Sequence, residues 1–429
     1  MTKKGVTDMI ELSGKYGTAK IYADVMDPKA VSQIIRLMNQ PFAEDANVTL
    51  MPDVHPGIGC VIGTTMRIRD KVCPNLVGVD IGCGMEVVEL AEREIDLRGL
   101  DRVIRERIPS GRDKRREYDF RADAVPMHGV RCPDVCRDMA GHYIGTLGGG
   151  NHFIEIDRGS DGRLYLVIHS GSRKLGRKVA EYYQRQACDQ MTGKDRAAMA
   201  EKIKSWKAAG LERELTGLIA AEKKRAVQGI DREMAYVSGT LLSDYLNDMA
   251  HVQDFANANR RALADDILEH AGLHMVSRFS TVHNYIDVRT GIMRKGAVDA
   301  EKGRTLLIPL NMRDGSLLCM GKGNSEWNFS APHGAGRLLP RHEAKATLTM
   351  DEYRAAMAGI YSTSITPGTI DESPMAYKPA DTITSAIGPT AEILDRLIPV
   401  YNFKADGSAE NHENGTMKNE RTAEHDGKT

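Results

Sequence analysis

Five short motifs, spread over most of the chain, set the strongest limit on its fold, because loops far apart in sequence have to meet. The first, Val79-Asp80-Ile81-Gly82-Cys83-Gly84-Met85, places a carboxylate and a thiol in one glycine-rich turn. Four histidine motifs follow: Asn151-His152-Phe153, His169-Ser170-Gly171-Ser172-Arg173, Val282-His283-Asn284 and Pro332-His333-Gly334-Ala335-Gly336-Arg337. One Asp, one Cys and several His from scattered loops are the donors of a multi-metal site, and a histidine beyond those needed as ligands is a candidate nucleophile. That combination points to chemistry on phosphate.

Each motif also has a plainer reading. A free cysteine is usually a small buried hydrophobe. The glycines around Cys83 instead let the backbone approach a bound group closely, and a thiolate is a metal ligand. The loop histidines tip the balance towards metal. Gly148-Gly149-Gly150 exposes N–H groups that can cradle phosphate, and Asn151, His152 and Glu155 follow it closely; Asn151 alone would pass as a turn residue. His169 can give one ring nitrogen to a metal while an acceptor fixes the other. Arg173 suits bidentate phosphate binding or a surface ion pair. His283-Asn284 repeats the Asn151-His152 chemistry in reverse order. His333 has glycines beside it that leave room for a nucleotide, and Arg337 is near enough to neutralise phosphate charge. His55, His128, His142, His251, His270, His274 and His342 lack such settings and read as ordinary structural or surface histidines. There is no Walker A, Rossmann or G-x-S-x-G pattern.

The rest of the chain is consistent with a large globular protein. Its 429 residues carry a net charge of -1, so a nucleic-acid partner would need a local patch such as Arg112-Asp113-Lys114-Arg115-Arg116, which otherwise reads as a solvated face. Only 5% of residues are aromatic, which argues against long base-stacking platforms. Seven scattered cysteines are no disulfide framework, and no apolar run is long enough to span a bilayer. A reducing cytoplasm is the expected compartment. Residues 1–50 read as a strand, a turn and a helix with Val31, Ile34, Ile35 and Met38 on one face. Pro52 to Gly57 reads as a loop, and Phe153–Ile156 with Leu164–Ile168 as a strand pair. Residues 176–275 are predicted to be a helical insertion broken at Gly210 and Gly217, with exposed faces that move over a substrate. Helix is predicted again at 341–360. Residues 405–429 contain almost nothing apolar and are expected to be a disordered tail, leaving one large mixed α+β domain over residues 1–404.

In this order the motifs resemble those of the RtcB family of RNA ligases, which join RNA 3′-phosphate or 2′,3′-cyclic phosphate ends to 5′-hydroxyl ends. The likeness runs from about Met51 to Lys404. It implies two manganese ions, one on Asp80, Cys83 and His152 and one on Cys83, His169 and His283, with the thiolate bridging. A Cys/His-rich donor set alone would suggest zinc. It also implies a GTP site made by Asn151, His152, Phe153, Ile154, Glu155, His283, Asn284, Ser325, His333, Gly334, Ala335, Gly336 and the C-terminal Lys404. His333 would be the covalent nucleophile that takes GMP, with Arg173 and Arg337 as catalytic partners and Arg173 on the RNA phosphate. The chain departs from the family pattern at Pro340-Arg341, where a Ser-Arg pair is usual, and in a short Gly321–Asn328 segment. The implied partner is broken RNA, with an archease-like activator left open, a monomer as the expected state and no membrane. The main rival is a dinuclear metal phosphatase or phosphodiesterase in which His333 is a general acid. A nucleic-acid-binding stress protein without turnover is a third reading, but it would have no need of the ligand set.

Overall fold

The computed structural model describes residues 9–24, 26–192, 196–225 and 230–405. Residues 406–429 of the expected tail lie outside the described residues, and Ala405 just before them is buried. Two sheets organise the molecule. The strands used below are β1 (Ile10–Ser13), β2 (Thr18–Ile21), β3 (Thr49–His55), β4 (Ile62–Arg67), β5 (Gly84–Leu90), β6 (Phe153–Arg158), β7 (Leu164–Ser170), β8 (Met275–Val282), β9 (Asn284–Asp287), β10 (Ile292–Lys295), β11 (Thr305–Asn311), β12 (Gly315–Gly321) and β13 (Ala391–Phe403). A six-stranded sheet runs β1-β2-β3-β4-β10-β9 and a seven-stranded sheet β8-β5-β7-β6-β13-β12-β11. The pairings are antiparallel apart from β2 beside β3. The edge strand β8 of one sheet and the edge strand β9 of the other are consecutive in sequence, and His283 is the single residue between them. Residue 283 therefore sits where the chain leaves one sheet and enters the other.

Alternation along β6 and β7 explains why both faces of the larger sheet are covered. Ile154, Ile156, Leu166 and Ile168 point to one side, where Leu100 and Ile104 of α2 (Leu97–Arg107) and Leu263 and Ile267 of a long helix pack on them. Phe153, Tyr165 and Val167 point to the other side, against Met85, Val87, Leu307 and Leu397. Each such side chain stabilises the fold by roughly 1.5–3 kcal/mol on burial. The predicted strand pair is present, with Phe153 opposite His169 and Ile154 opposite Ile168.

Several expectations are corrected. Pro52 to His55 is strand rather than loop: β3 carries them, and the register with β4 shifts between Leu50 and His55, so Pro52 meets no ladder position that needs an N–H. Helix α1 (Pro28–Met38) buries Ala30, Ile34, Leu37 and Met38 and leaves Ile35 38% exposed, so its inner face starts at the small Ala30 rather than at Val31. Gly210 does end a helix, but Gly217 lies within one, at a propensity cost of about 1 kcal/mol that a helix tolerates. Residues 341–360 form two short helices, Arg341–Thr347 and Met350–Ala356, because Thr349 caps the second with a reciprocal Thr–Glu352 bond.

The stretch 176–275 is built from α3 (Arg173–Met191), α4 (Arg196–Ala208), α5 (Leu215–Arg225) and α6 (Gly239–Ala271). No described side chain of α4 or α5 is fully buried. Helices α3 and α6 are core elements: Leu175, Val179 and Tyr183 pack with Tyr245, Met249, Val252 and Phe255. The expectation of an exposed surface therefore does not hold for α6, whose apolar stripe is enclosed. Among the described residues, no helix is long and apolar enough to cross a membrane.

Candidate active site

The metal-ligand candidates converge at one end of β8-β5-β7-β6. Asp80 and Cys83 precede β5, His152 precedes β6, His169 lies near the end of β7 and His283 follows β8. Close approach of β8 depends on Gly84: a Cβ there would lie 1.9 Å from the Thr281 carbonyl oxygen. That approach lets the His283 N–H donate to the Cys83 carbonyl at 2.9 Å. Cys83 Sγ is 3.1 Å from His169 Nε2 and 3.4 Å from His152 Nε2, and His169 Nε2 is 3.3 Å from His283 Nε2. Asp80 Oδ2 is 2.9 Å from His152 Nε2. Two groups result, Asp80-Cys83-His152 and Cys83-His169-His283, with donor atoms in each within 4.8 Å of one another. The two groups share Cys83.

The electrostatics fit a cation. His152 Nδ1–H points at the Leu147 carbonyl at 2.8 Å and His169 Nδ1–H at the Asn151 carbonyl at 3.0 Å, which leaves both Nε2 lone pairs facing Cys83. Burial holds His169 and His283 well below the usual histidine range, with neighbouring His152 and His333 respectively adding to the effect. Burial pushes the Cys83 thiol well up, as does the adjacent Asp80 charge. Burial also works to raise Asp80, but the neighbouring His152 and Arg173 outweigh it and hold the carboxyl well below its usual range. Several lone pairs thus face each other at about hydrogen-bond distance, an arrangement that a divalent ion would stabilise.

His333 lies just outside this group, its ring 4.9 Å from that of His283. Its Nδ1 is 2.6 Å from Asp53 Oδ2, and the same oxygen accepts the His333 backbone N–H at 3.1 Å. Asp53 is fully buried on β3. This partner was missed in the sequence, where Pro52–Gly57 read as a loop; the available signal was an acid inside the apolar run Leu50-Met51-Pro52-Asp53-Val54. His55, set aside as ordinary, bonds the Asp53 carbonyl at 2.8 Å and is lowered to about 4, chiefly by burial. Lys295 is buried opposite Asn284 in the β9–β10 pair, with its ammonium on the Ile58 and Asn75 carbonyls.

Other expected site residues fall into two sets. Arg173 starts α3 with a left-handed φ of 57° and donates to Thr146 Oγ1 (3.3 Å) and the Gly111 carbonyl (3.0 Å). A Cβ on Gly148, itself at φ 94°, would sit 1.8 Å from Arg173 Nη1, so the glycine loop makes room for the guanidinium. Lys404 lies over the Phe153 ring at 5.2 Å, is 3.5 Å from the Asn151 carbonyl and pairs with Glu372 at 2.9 Å. Burial raises Glu155 to about 7 against the pull of Lys404 and of the Asn402 amide bonded to it. The Asn284 side chain accepts from Gly296 N at 3.0 Å. Gly336, at φ 75°, packs where a Cβ would meet the Asp53 carbonyl at 2.4 Å, and Ala335 is buried beside it.

The second set is placed otherwise. The Ile154 side chain is in the core, and its backbone lies in the sheet opposite Ile168 and Phe403. The Arg337 guanidinium is taken up by Glu372 (3.2 Å) and by the Asp371 and Leu339 carbonyls. Ser325 is exposed in a short turn whose Trp327 stacks on Tyr22, and the hydrogen bonds of that turn go to neither metal group.

Comparison with known proteins gives a consistent result. RNA-splicing ligase RtcB of Escherichia coli K12 is 29% identical over 419 residues, covering 88% of this chain and 95% of that protein. The Mycobacterium tuberculosis RNA-splicing ligase RtcB is 27% identical over 441 residues, with 82% and 95% covered. The tRNA-splicing ligase RtcB of Aeropyrum pernix is 25% identical over 450 residues, with 82% and 86% covered. The model of the family described as tRNA-splicing ligase RtcB matches residues 33–133 and 131–405. The motifs that meet around Cys83 all fall inside those matches, and the chain belongs to this family.

Proposed function

We propose that the protein is a GTP- and manganese-dependent RNA ligase that joins a 3′-phosphate or 2′,3′-cyclic phosphate end to a 5′-hydroxyl end. The observation that carries this reading is a histidine held by a buried carboxylate directly beside a shared-thiolate ligand cluster. With Nδ1–H given to Asp53, His333 presents an Nε2 lone pair, the form a nucleophile needs. His333 Nε2 attacks the α-phosphorus of GTP; the P–N bond forms, the bridging P–O bond breaks and pyrophosphate leaves. A cyclic end is first opened by water to a 3′-phosphate. An oxygen of that phosphate then attacks the histidine-bound phosphorus, the P–N bond breaks and GMP passes to the RNA end. The 5′-hydroxyl attacks the RNA 3′-phosphorus, loses its proton and expels GMP. Bound manganese would supply charge neutralisation at the phosphoryl oxygens; Asp80, Cys83, His152, His169 and His283 would hold it. Arg173 would hold the RNA phosphate, with Asn151, Phe153, Glu155, Asn284 and Lys404 around the nucleotide.

Incubation with α-labelled GTP and Mn²⁺, then with RNA carrying 3′-phosphate and 5′-hydroxyl ends, tests the reading: labelled protein and then a joined product are expected. Asp53→Asn provides a sharper test of the orientation of His333. An amide can donate to Nδ1, which moves the proton to Nε2 and removes the attacking lone pair. The guanylylation rate is expected to fall by about 10⁴-fold, the loss seen when a catalytic histidine is held in the wrong tautomer, with manganese content unchanged. A rate within a few-fold of wild type would remove Asp53 from the mechanism.

A further inference from the structure

The three ligand loops Asp80–Cys83, His152 and His169 come from separate parts of the chain, yet two adjacent residues of α6 hold the backbone of all three. Asn259 accepts from Thr146 N (3.0 Å) and donates to the carbonyls of Thr146 (3.1 Å) and Gly171 (3.0 Å) and to Ser170 Oγ (3.1 Å). Ser170 Oγ itself donates to the Leu147 carbonyl at 2.8 Å, the same oxygen that receives His152 Nδ1–H. Arg260 Nη1 donates to the Gly82 carbonyl (2.6 Å) and the Ser170 carbonyl (3.0 Å), and its Nη2 to Asn257. These contacts lie next to the ligands: Gly82 precedes Cys83, Ser170 follows His169, and Thr146 and Leu147 open the loop that ends at His152.

Both residues are fully buried. They interrupt the apolar stripe of α6, between Phe255 and Ala256 on one side and Leu263 and Ala264 on the other. A buried arginine is costly unless something compensates its charge. Arg260 makes its direct bonds to the Gly82 and Ser170 carbonyls, Asn257 and Ser280. Its charge is therefore met in part by backbone oxygens that adjoin the ligands. A core position that needed only packing would be served better by leucine.

We infer that Asn259 and Arg260 are positioning residues that hold the Cys83, His152 and His169 loops in metal-ready geometry, so that α6 preorganises a site to which it contributes no ligand. The inference rests on the metal reading of the two clusters. Outer bonds of this kind typically change metal affinity 10- to 100-fold.

The test uses the full-length protein, Mn²⁺ affinity by calorimetry, and the visible and thiolate charge-transfer bands of the Co²⁺-substituted form, with a thermal midpoint in the metal-free state alongside. Asn259→Ala and the milder Asn259→Ser are expected to weaken Mn²⁺ by about 10- to 100-fold and to shift the Co²⁺ bands. Arg260→Lys, which can serve one carbonyl but not two, is expected to lie between wild type and Arg260→Met. If Asn259→Ala proves unfolded, Asn259→Ser and Arg260→Lys carry the decision. Wild-type Mn²⁺ affinity and unchanged Co²⁺ bands in folded variants, whatever their midpoints, overturn the inference and leave a packing role. A wild-type protein that takes up neither ion overturns the metal site itself, which is a different result from wild-type uptake with unaffected variants.

Discussion

His333→Ala is expected to abolish transfer of label from α-labelled GTP to the protein while leaving its metal content unchanged. The two effects separate because His333 belongs to neither ligand group, although its ring is only 4.9 Å from that of His283. Among the described residues no other combines the same features: a ring nitrogen fixed by a buried carboxylate, a glycine on each side of the neighbouring Ala335, and the candidate ligand cluster in front. Water cannot substitute, because the measured product is a covalent phosphoramidate. The loss should therefore reach the floor of the assay, on the order of 10⁴-fold or more, as for removal of other covalent nucleophiles. Acid-labile, alkali-stable label on the wild-type protein that disappears in the variant is the expected pattern. Label that persists in the variant rules out His333 as the nucleophile. Absence of label even in wild type, together with hydrolysis of a phosphate ester, would favour the dinuclear phosphatase reading.

Cys83→Ala should have the second large effect, on metal rather than on the nucleophile. Cys83 is the only residue common to both groups among the described residues, so its loss leaves Asp80 with His152 and His169 with His283. Two ligands each are too few for a closed site. The substitution also leaves the Nε2 atoms of His152, His169 and His283 facing a small void without the sulfur they surround. Elemental analysis of the purified variant should find well under one equivalent of manganese after dialysis, and the GTP label should vanish with it. Cys83→Ser should behave nearly as badly, since a hydroxyl is a poor thiolate substitute. A Cys83→Ala protein that retains two equivalents of metal would refute the bridging role. The two substitutions together distinguish chemistry at His333 from occupancy at Cys83: the first removes label but not metal, and the second removes both.

The parts of this molecule that were legible in sequence are those fixed by local chemistry. Alternation gave the β6–β7 pair, because side chains of a strand point to opposite faces. The ligand candidates could be picked out because Asp, Cys and His recur together in short motifs along the chain, and the structure brings all five to one point. The failures have a common cause. Pro52–His55 looked like a loop because proline breaks ladders, yet a register shift in β3 accommodates it. α6 looked exposed because its sequence is rich in charge, although Asp248, Asn259 and Arg260 on it are buried and hydrogen-bonded to distant backbone. The partners of Arg337, expected on phosphate, were equally hidden: its guanidinium is engaged by Glu372 and by the Asp371 carbonyl, which its distance from His333 in sequence does not reveal.

By itself the sequence determined the chemical inventory: which side chains can ligate, which can attack, and in what order they occur along the chain. Those are properties of residue type and near neighbours. The tertiary structure alone decided which partners those side chains meet. That Asp53 orients His333, that one sulfur serves two clusters, and that a single helix turn holds three ligand loops are contacts across 280, 69 and 113 positions of sequence. Such contacts arise where β8 and β9 pass from one sheet to the other at His283 and where α6 packs beneath the strand ends. Local periodicity carries no information about them, because they are set by how the two sheets and the helix close around one core.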